Sequence, residues 1–292
     1  MYLGQQALAE TSDNLAEKMN TYIDCYNDAD ERAISSIHRY ESWVKDKQKS
    51  PTGKEKNIYG LYSLNGVEAC KENMPQAIAA EPKNEALDTA AQKYLDALLA
   101  LDEKVQEADK YYSRENYKDD NFAKGKEIHP GLVKAMDDFE VASENLSGEL
   151  DNINDKSQRE LLEKLKAEDP KSTEYATLLM VVTAKDLTNS MTNDEFDIDN
   201  ATKEISTFED ANDILLNYLK EHPNEEVDFI RVNQAAENFI VAAKERMRRV
   251  RDKTPYSKGE QTQLNPQSGW MVSGSPYKLL RAFNQLIDAF NG

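Results

Sequence analysis

Between Asn84 and Tyr117 the chain contains neither glycine nor proline, while Leu87, Ala91, Tyr94, Leu95, Leu98, Leu101, Val105, Ala108, Tyr111 and Tyr112 recur at helical spacing. Residues so spaced share one face of an α-helix, whereas a strand would send alternate residues to opposite faces. A long amphipathic helix needs other apolar faces to cover its stripe, so the segment constrains the rest of the molecule toward helix-on-helix packing.

The rest of the sequence meets that demand. A helix is predicted from about Gln5 to about Lys49 through Leu15, Met19, Tyr22, Tyr26, Ile37, Tyr40 and Trp43, with Ser50-Pro51-Thr52-Gly53 as its stop. Asn57 to Pro82 is less periodic and reads as a loop with one or two short helices. Leu132 to about Lys166 resumes the period through Met136, Phe139, Leu146 and Leu150. A boundary is predicted at His129, because the residue before Pro130 is pushed out of the α region. Further helices are expected over Thr173 to Met191, Asp199 to Glu221 and Glu225 to Arg251, the last two separated by His222-Pro223-Asn224. Thr254 to Ser275 reads as a connection, and Ser275-Pro276 as the cap and first turn of a final helix through Leu279, Phe283, Leu286 and Phe290. The expected fold is all-α, an elongated bundle of long amphipathic helices with short connecting helices. It forms one domain over residues 1–292, with a subdivision near 168–172.

Eleven glycines and nine prolines supply too few tight turns for a sandwich or barrel. The net charge of −18 repels phosphate backbones and argues against nucleic-acid partners and anionic membrane surfaces. No window reaches the roughly 18 apolar residues of a membrane-spanning helix. Met1 to Gln6 is too short and polar for a secretory signal. Cys25 and Cys70 fit either one disulfide or two buried thiols.

Catalytic chemistry finds little material. The chain has three histidines, His38, His129 and His222, and no phosphate loop, dinucleotide fingerprint, nucleophile elbow or paired CxxC motif. His38 and Glu41 share a helix face and could supply two metal ligands, with acids from facing helices completing the set. Asn193 to Asp199 superficially resembles a calcium loop. An EF-hand register starting at Asp197 puts Thr202 where glycine is required and Phe208 where the bidentate acid is required, so an acid-rich helix start explains it better. Lys244, Arg246, Arg248, Arg249, Arg251 and Lys253 concentrate positive charge at a helix end, where they complement the helix dipole and neighbouring acids or, as the alternative, form a docking patch for an anionic glycan, lipid headgroup or acidic partner. Tyr112 and Tyr117, with Asp119, Asp120 and His129, form a candidate binding surface, since tyrosine offers an apolar face and a polar tip.

The run Tyr111-Tyr112-Ser113-Arg114-Glu115-Asn116-Tyr117-Lys118-Asp119-Asp120-Asn121-Phe122, continuing through Gly125 to His129-Pro130, resembles a signature of the YiiG-like family of bacterial envelope lipoproteins. Tyr22 to Asn27 and Ser275 to Asn284 are similar to its flanking motifs. The resemblance implies an exported α-helical domain of unknown function, tethered through an N-terminal lipidated cysteine. This sequence shows no such signal or lipobox cysteine, so the anchor is an expectation about a full-length precursor. No catalytic residues and no cofactor follow from the family. The expected role is a non-enzymatic envelope protein that binds or supports an unidentified protein or envelope component. The alternative is a periplasmic metal- or small-ligand-binding helical protein.

Overall fold

The computed structural model describes residues 13–44, 46–49, 51–221 and 228–291. Among them the regular structure is helical throughout, with no strand. The elements are α1 (Asp13–Trp43), α2 (Val67–Ala79), α3 (Glu85–Ser113), α4 (Tyr117–Asp120), α5 (Ala123–Glu168), α6 (Thr173–Ser190), α7 (Ile198–Glu221), α8 (Asp228–Arg251), α9 (Lys258–Gln263) and α10 (Pro276–Asn291), with a 3₁₀ turn at Gly269–Met271. The predicted beginning of the first helix at Gln5 and the break at His222 to Asn224 lie outside the described residues, as does Ser50 of the first stop.

The helix ends follow local chemistry. Asn84 caps α3 by accepting from the Leu87 amide at 3.2 Å, and Glu85 and Asp88 place negative charge at the positive end of the helix. Ser275 caps α10, its Oγ accepting from the Lys278 amide at 3.0 Å while donating to the Gly269 carbonyl at 2.6 Å. Asp197 does the same for α7, accepting from the Asp199 and Asn200 amides at 2.9 and 3.0 Å. The acid-rich segment before α7 is therefore a helix start. Ser257 and Glu260 form a reciprocal capping box on α9, a helix the periodicity did not mark.

One boundary is corrected. α5 does not begin after Pro130 but at Ala123, and it runs through the proline. Proline removes one amide donor, that for the Lys126 carbonyl four residues earlier. Both Pro130 and Lys126 are exposed, so water can satisfy the freed carbonyl, while the buried neighbours Ile128, His129 and Leu132 hold the helix to the core.

The chain divides into two compact units, Met1–Asn154 and Asp155–Gly292, with the division inside α5. The core of the first is built by α1, α2, α3 and the first part of α5, around Met19, Tyr22, Ile37, Tyr40, Leu98, Leu101, Phe139 and Leu146. The core of the second is built by α6, α7, α8 and α10, around Met180, Leu187, Phe208, Leu215, Phe239 and Leu286. The Phe208 and Phe239 rings meet at 5.0 Å. Each unit has the stripe-against-stripe packing that the helical spacing demanded.

Candidate functional site

In the first unit, α1 presents Arg32, Ser36, Arg39 and Trp43 at intervals of four, three and four residues, which puts them on one face. All four reach the backbone of the irregular segment 57–65. Arg32 Nε donates to the Ser63 carbonyl at 3.0 Å and Arg39 Nε to the Tyr59 carbonyl at 2.7 Å. Trp43 Nε1 donates to the Gly60 carbonyl at 3.0 Å. Ser36, fully buried, donates to the Tyr62 carbonyl at 2.7 Å and accepts from its amide at 3.1 Å. A segment with no secondary structure of its own is thus strapped to the helix by side chains that satisfy its backbone. Gly60, at φ +64°, supplies a left-handed turn within the strap.

Between the strap and α1 lies a shallow concavity, largely open to water, lined by Ser35, His38, Arg39, Ser42, Tyr59 and Tyr62. The Arg39 guanidinium carbon lies 4.3 Å from the Tyr62 ring centroid and that of Arg32 4.2 Å from the same ring. Tyr59 is 50% exposed. A second concavity, of ≈410 Å³, lies between α1 and α2, where Glu17, Asp24, Asp28 and Glu81 face Asn73 and Gln76. Its floor includes Cys25 and Cys70, which form a disulfide with a Cα–Cα distance of 5.1 Å. The choice between one disulfide and two thiols, open in the sequence, is resolved to the disulfide.

The residues singled out from the sequence fall in different places. Tyr112 and His129 are core groups, 4% exposed each. His129 Nδ1 pairs with the Tyr40 hydroxyl at 2.9 Å and its Nε2 with the Lys47 carbonyl at 3.0 Å. Burial pushes the His129 pKa down from its ordinary value, partly offset by the hydrogen bond to the Lys47 carbonyl. Tyr112 packs edge-on against Trp43 at 5.0 Å and against Tyr111 at 4.9 Å, and burial raises its pKa. Tyr117 is half-buried against Phe122 at 5.1 Å. Asp119 is exposed on α4, while Asp120 accepts from the Tyr111 hydroxyl at 2.7 Å and the Lys124 amide at 3.0 Å. The five residues therefore do not form one open surface. The aromatic-rich signature is a packed joint between α3 and α5, with Tyr111, Tyr112 and Phe122 buried and the polar residues between them, such as Arg114, Asn116, Lys118 and Asp119, in water.

His38 is exposed and lines the first concavity, whereas the Glu41 carboxylate pairs with Lys47 at 3.1 Å. Among the described residues no group of three or more His, Cys, Asp or Glu side chains is placed to hold a metal ion. The basic stretch of α8 is also largely occupied. Arg246, 1% exposed, donates to the Met191 and Asn193 carbonyls at 3.0 and 2.6 Å and pairs with Asp194 at 2.7 Å. Lys244 pairs with Glu209, and Arg249 with Glu260 at 2.7 Å. Sequence reading missed the strap. Its signal was the row Arg32, Ser36, Arg39, Trp43, polar or amphipathic groups at core-like spacing beside a segment without periodicity.

A disulfide-stapled, all-α protein with a strapped helix face is the class this fold and site define. The chain belongs to the family described as Protein of unknown function (DUF3829), whose pattern it matches over residues 13–292. It is 36% identical over 278 residues to the Uncharacterized protein YiiG of Escherichia coli (strain K12), covering 94% of this chain and 78% of that protein. No solved structure matches the chain.

Proposed function

We infer that this chain is a non-enzymatic protein of the bacterial cell envelope, lipid-anchored in its full-length precursor, that acts by binding a protein or another envelope component. The observation that carries the reading is the disulfide between Cys25 and Cys70, the chain's two cysteines. Such bonds persist in oxidising compartments and are rare in the cytosol. The non-enzymatic part is supported by how the buried titratable groups are used. His129 is tied between Tyr40 and the Lys47 carbonyl, and Asp88 between Lys18, Tyr22 and the Asn84 amide.

The test is the thiol state and location of the full-length protein in its native host. Trapping with a maleimide polymer before and after reduction should reveal both cysteines only after reduction, in the envelope fraction. Free thiols on protein recovered from the cytosol would overturn the envelope reading. A reproducible turnover activity lost on substitution in either concavity would overturn the non-enzymatic one.

The second reading, a periplasmic helical protein that captures a small ligand, is favoured by the strapped concavity at Arg39. Its metal-binding form has only His38 to build on, with Glu41 held by Lys47.

A further inference from the structure

Arg39 is held in a way that leaves its binding edge open. Its Nε donates to the Tyr59 carbonyl at 2.7 Å, and its guanidinium rests on the Tyr62 ring at 4.3 Å. These contacts fix the plane of the group without using its two terminal nitrogens. Among the described residues no carboxylate pairs with Arg39 or with Arg32, and the Arg39 guanidinium carbon also lies 6.0 Å from the Tyr59 ring centroid.

Arg281, stacked on the Trp270 ring at 3.8 Å, is likewise held without a carboxylate among the described residues, but only at Arg39 does the open edge face the hollow beside the strap. The chain has 54 acidic residues against 36 basic ones, and Arg246, Arg249, Arg251 and Arg159 all sit in ion pairs. Arg39 is instead oriented by backbone and ring contacts, with Arg32 beside the same Tyr62 ring adding a second positive charge.

The concavity supplies the rest of a recognition site. A planar guanidinium with free terminal N–H groups matches a carboxylate or phosphate in bidentate geometry. The Ser35 hydroxyl and the exposed His38 ring line the same hollow and add hydrogen-bonding capacity, while the Ser42 hydroxyl beside them donates to the Arg39 carbonyl at 2.7 Å. Tyr59, half in water on the strap, gives a flat apolar face with a polar tip. The hollow is shallow and open to water, so it meets a ligand from one side.

Resting on the small-ligand reading above, we propose that the concavity formed by Ser35, His38, Arg39, Ser42, Tyr59 and Tyr62 is a binding site for an anionic sugar. The guanidinium of Arg39 takes the oxyanion and Tyr59 carries the sugar face. The oxyanion is a carboxylate or a phosphate, which the same fork accepts.

The test uses the full chain carrying ¹⁵N-arginine, titrated with glucuronate, glucose 6-phosphate, inorganic phosphate and neutral glucose. The Arg39 Nε–H signal should move saturably with at least one anionic sugar, and the tighter of the two identifies the oxyanion. Glucose should bind about ten-fold more weakly or worse, the loss expected when a hydrogen bond to a charged group is missing. Because Arg39 also holds the strap, the decisive variant is Ser42→Glu, which adds a carboxylate on an exposed helical position. It should abolish anionic-sugar binding while leaving the far-ultraviolet spectrum unchanged, and Tyr59→Ala should weaken the sugar phosphate but not inorganic phosphate.

Three results would overturn the assignment. These are no saturable shift with either anionic sugar, undiminished binding in Ser42→Glu, or inorganic phosphate binding as tightly as the tighter of the two anionic sugars. A failure here leaves the envelope reading standing, because thiol state and cell fraction are read separately. Reduced cytosolic protein would sink that reading without touching the anion site.

Discussion

The two units solve the same packing problem with different chemistry. The second closes its core with alanine, leucine, methionine and phenylalanine, and Arg246, its one buried cation among the described residues, serves to hold the carbonyls after α6. The first adds cross-links to its core: the Cys25–Cys70 disulfide, the Lys18–Asp88 pair, the Tyr40–His129 bond and a chain of touching aromatic rings. Apolar packing alone tolerates exchange of similar side chains, whereas buried polar links demand particular partners. The first unit thus rests on partner-specific links, and both described concavities lie there.

The largest effect should come from removing Asp88. Its carboxylate accepts from the buried Lys18 ammonium at 2.8 Å and the Tyr22 hydroxyl at 2.9 Å. Asp88→Ala leaves that ammonium with only the Ala80 and Pro82 carbonyls. We expect a loss of about 3–5 kcal/mol in the first unit, read by urea unfolding at Trp43 fluorescence. The corresponding change in the second unit is Arg246→Met, which deletes bonds to two carbonyls while keeping an apolar stem. The partner Asp194 is largely solvated, so the loss should be smaller, about 1–3 kcal/mol, read at Trp270. A larger loss for Arg246→Met than for Asp88→Ala would reverse the comparison.

Ser36→Ala probes the strap. It leaves the Tyr62 amide and carbonyl without their side-chain partner and should cost about 1–2 kcal/mol. Anionic-sugar affinity should fall with it, although Ser36 does not line the concavity. Unchanged affinity would separate the strap from the site.

The smallest effect is pH dependence from His129. Burial holds its folded pKa below the unfolded value, which is about 6.5. As pH falls below that value the unfolded chain takes up a proton that the folded chain refuses. Stability therefore falls with falling pH until the folded group is also protonated. Between about pH 7.5 and about pH 5.5 the first unit should lose stability, and His129→Gln should flatten that part of the profile. An unaltered profile would deny His129 this role.

Much of the fold could be read from spacing. The stripe from Leu87 to Tyr112 became α3, and Ser275-Pro276 opened α10, because helix periodicity and caps are local properties. What escaped was set by distant partners. The rule for residues before proline gave a boundary at His129, yet packing of Ile128 and Leu132 carried the helix through. Tyr112 and His129 read as a surface because composition does not say which way a ring faces. In the fold they point into the joint with Tyr40 and Trp43. The concavity at Arg39 was only half visible: His38 was named for a metal, while the wall from Tyr59 to Tyr62 depends on side chains of another element satisfying its backbone.

The contrast between the units rests on the disulfide, and the two tryptophans allow each unit to be followed by itself. Trp43 is buried in the first and Trp270 is partly exposed in the second. Urea unfolding of Trp270→Phe and Trp43→Phe variants, each with and without reductant, compares them directly. Reduction should lower the midpoint reported by Trp43 clearly more than that reported by Trp270. Equal shifts at the two reporters, or no shift at Trp43, would contradict the account.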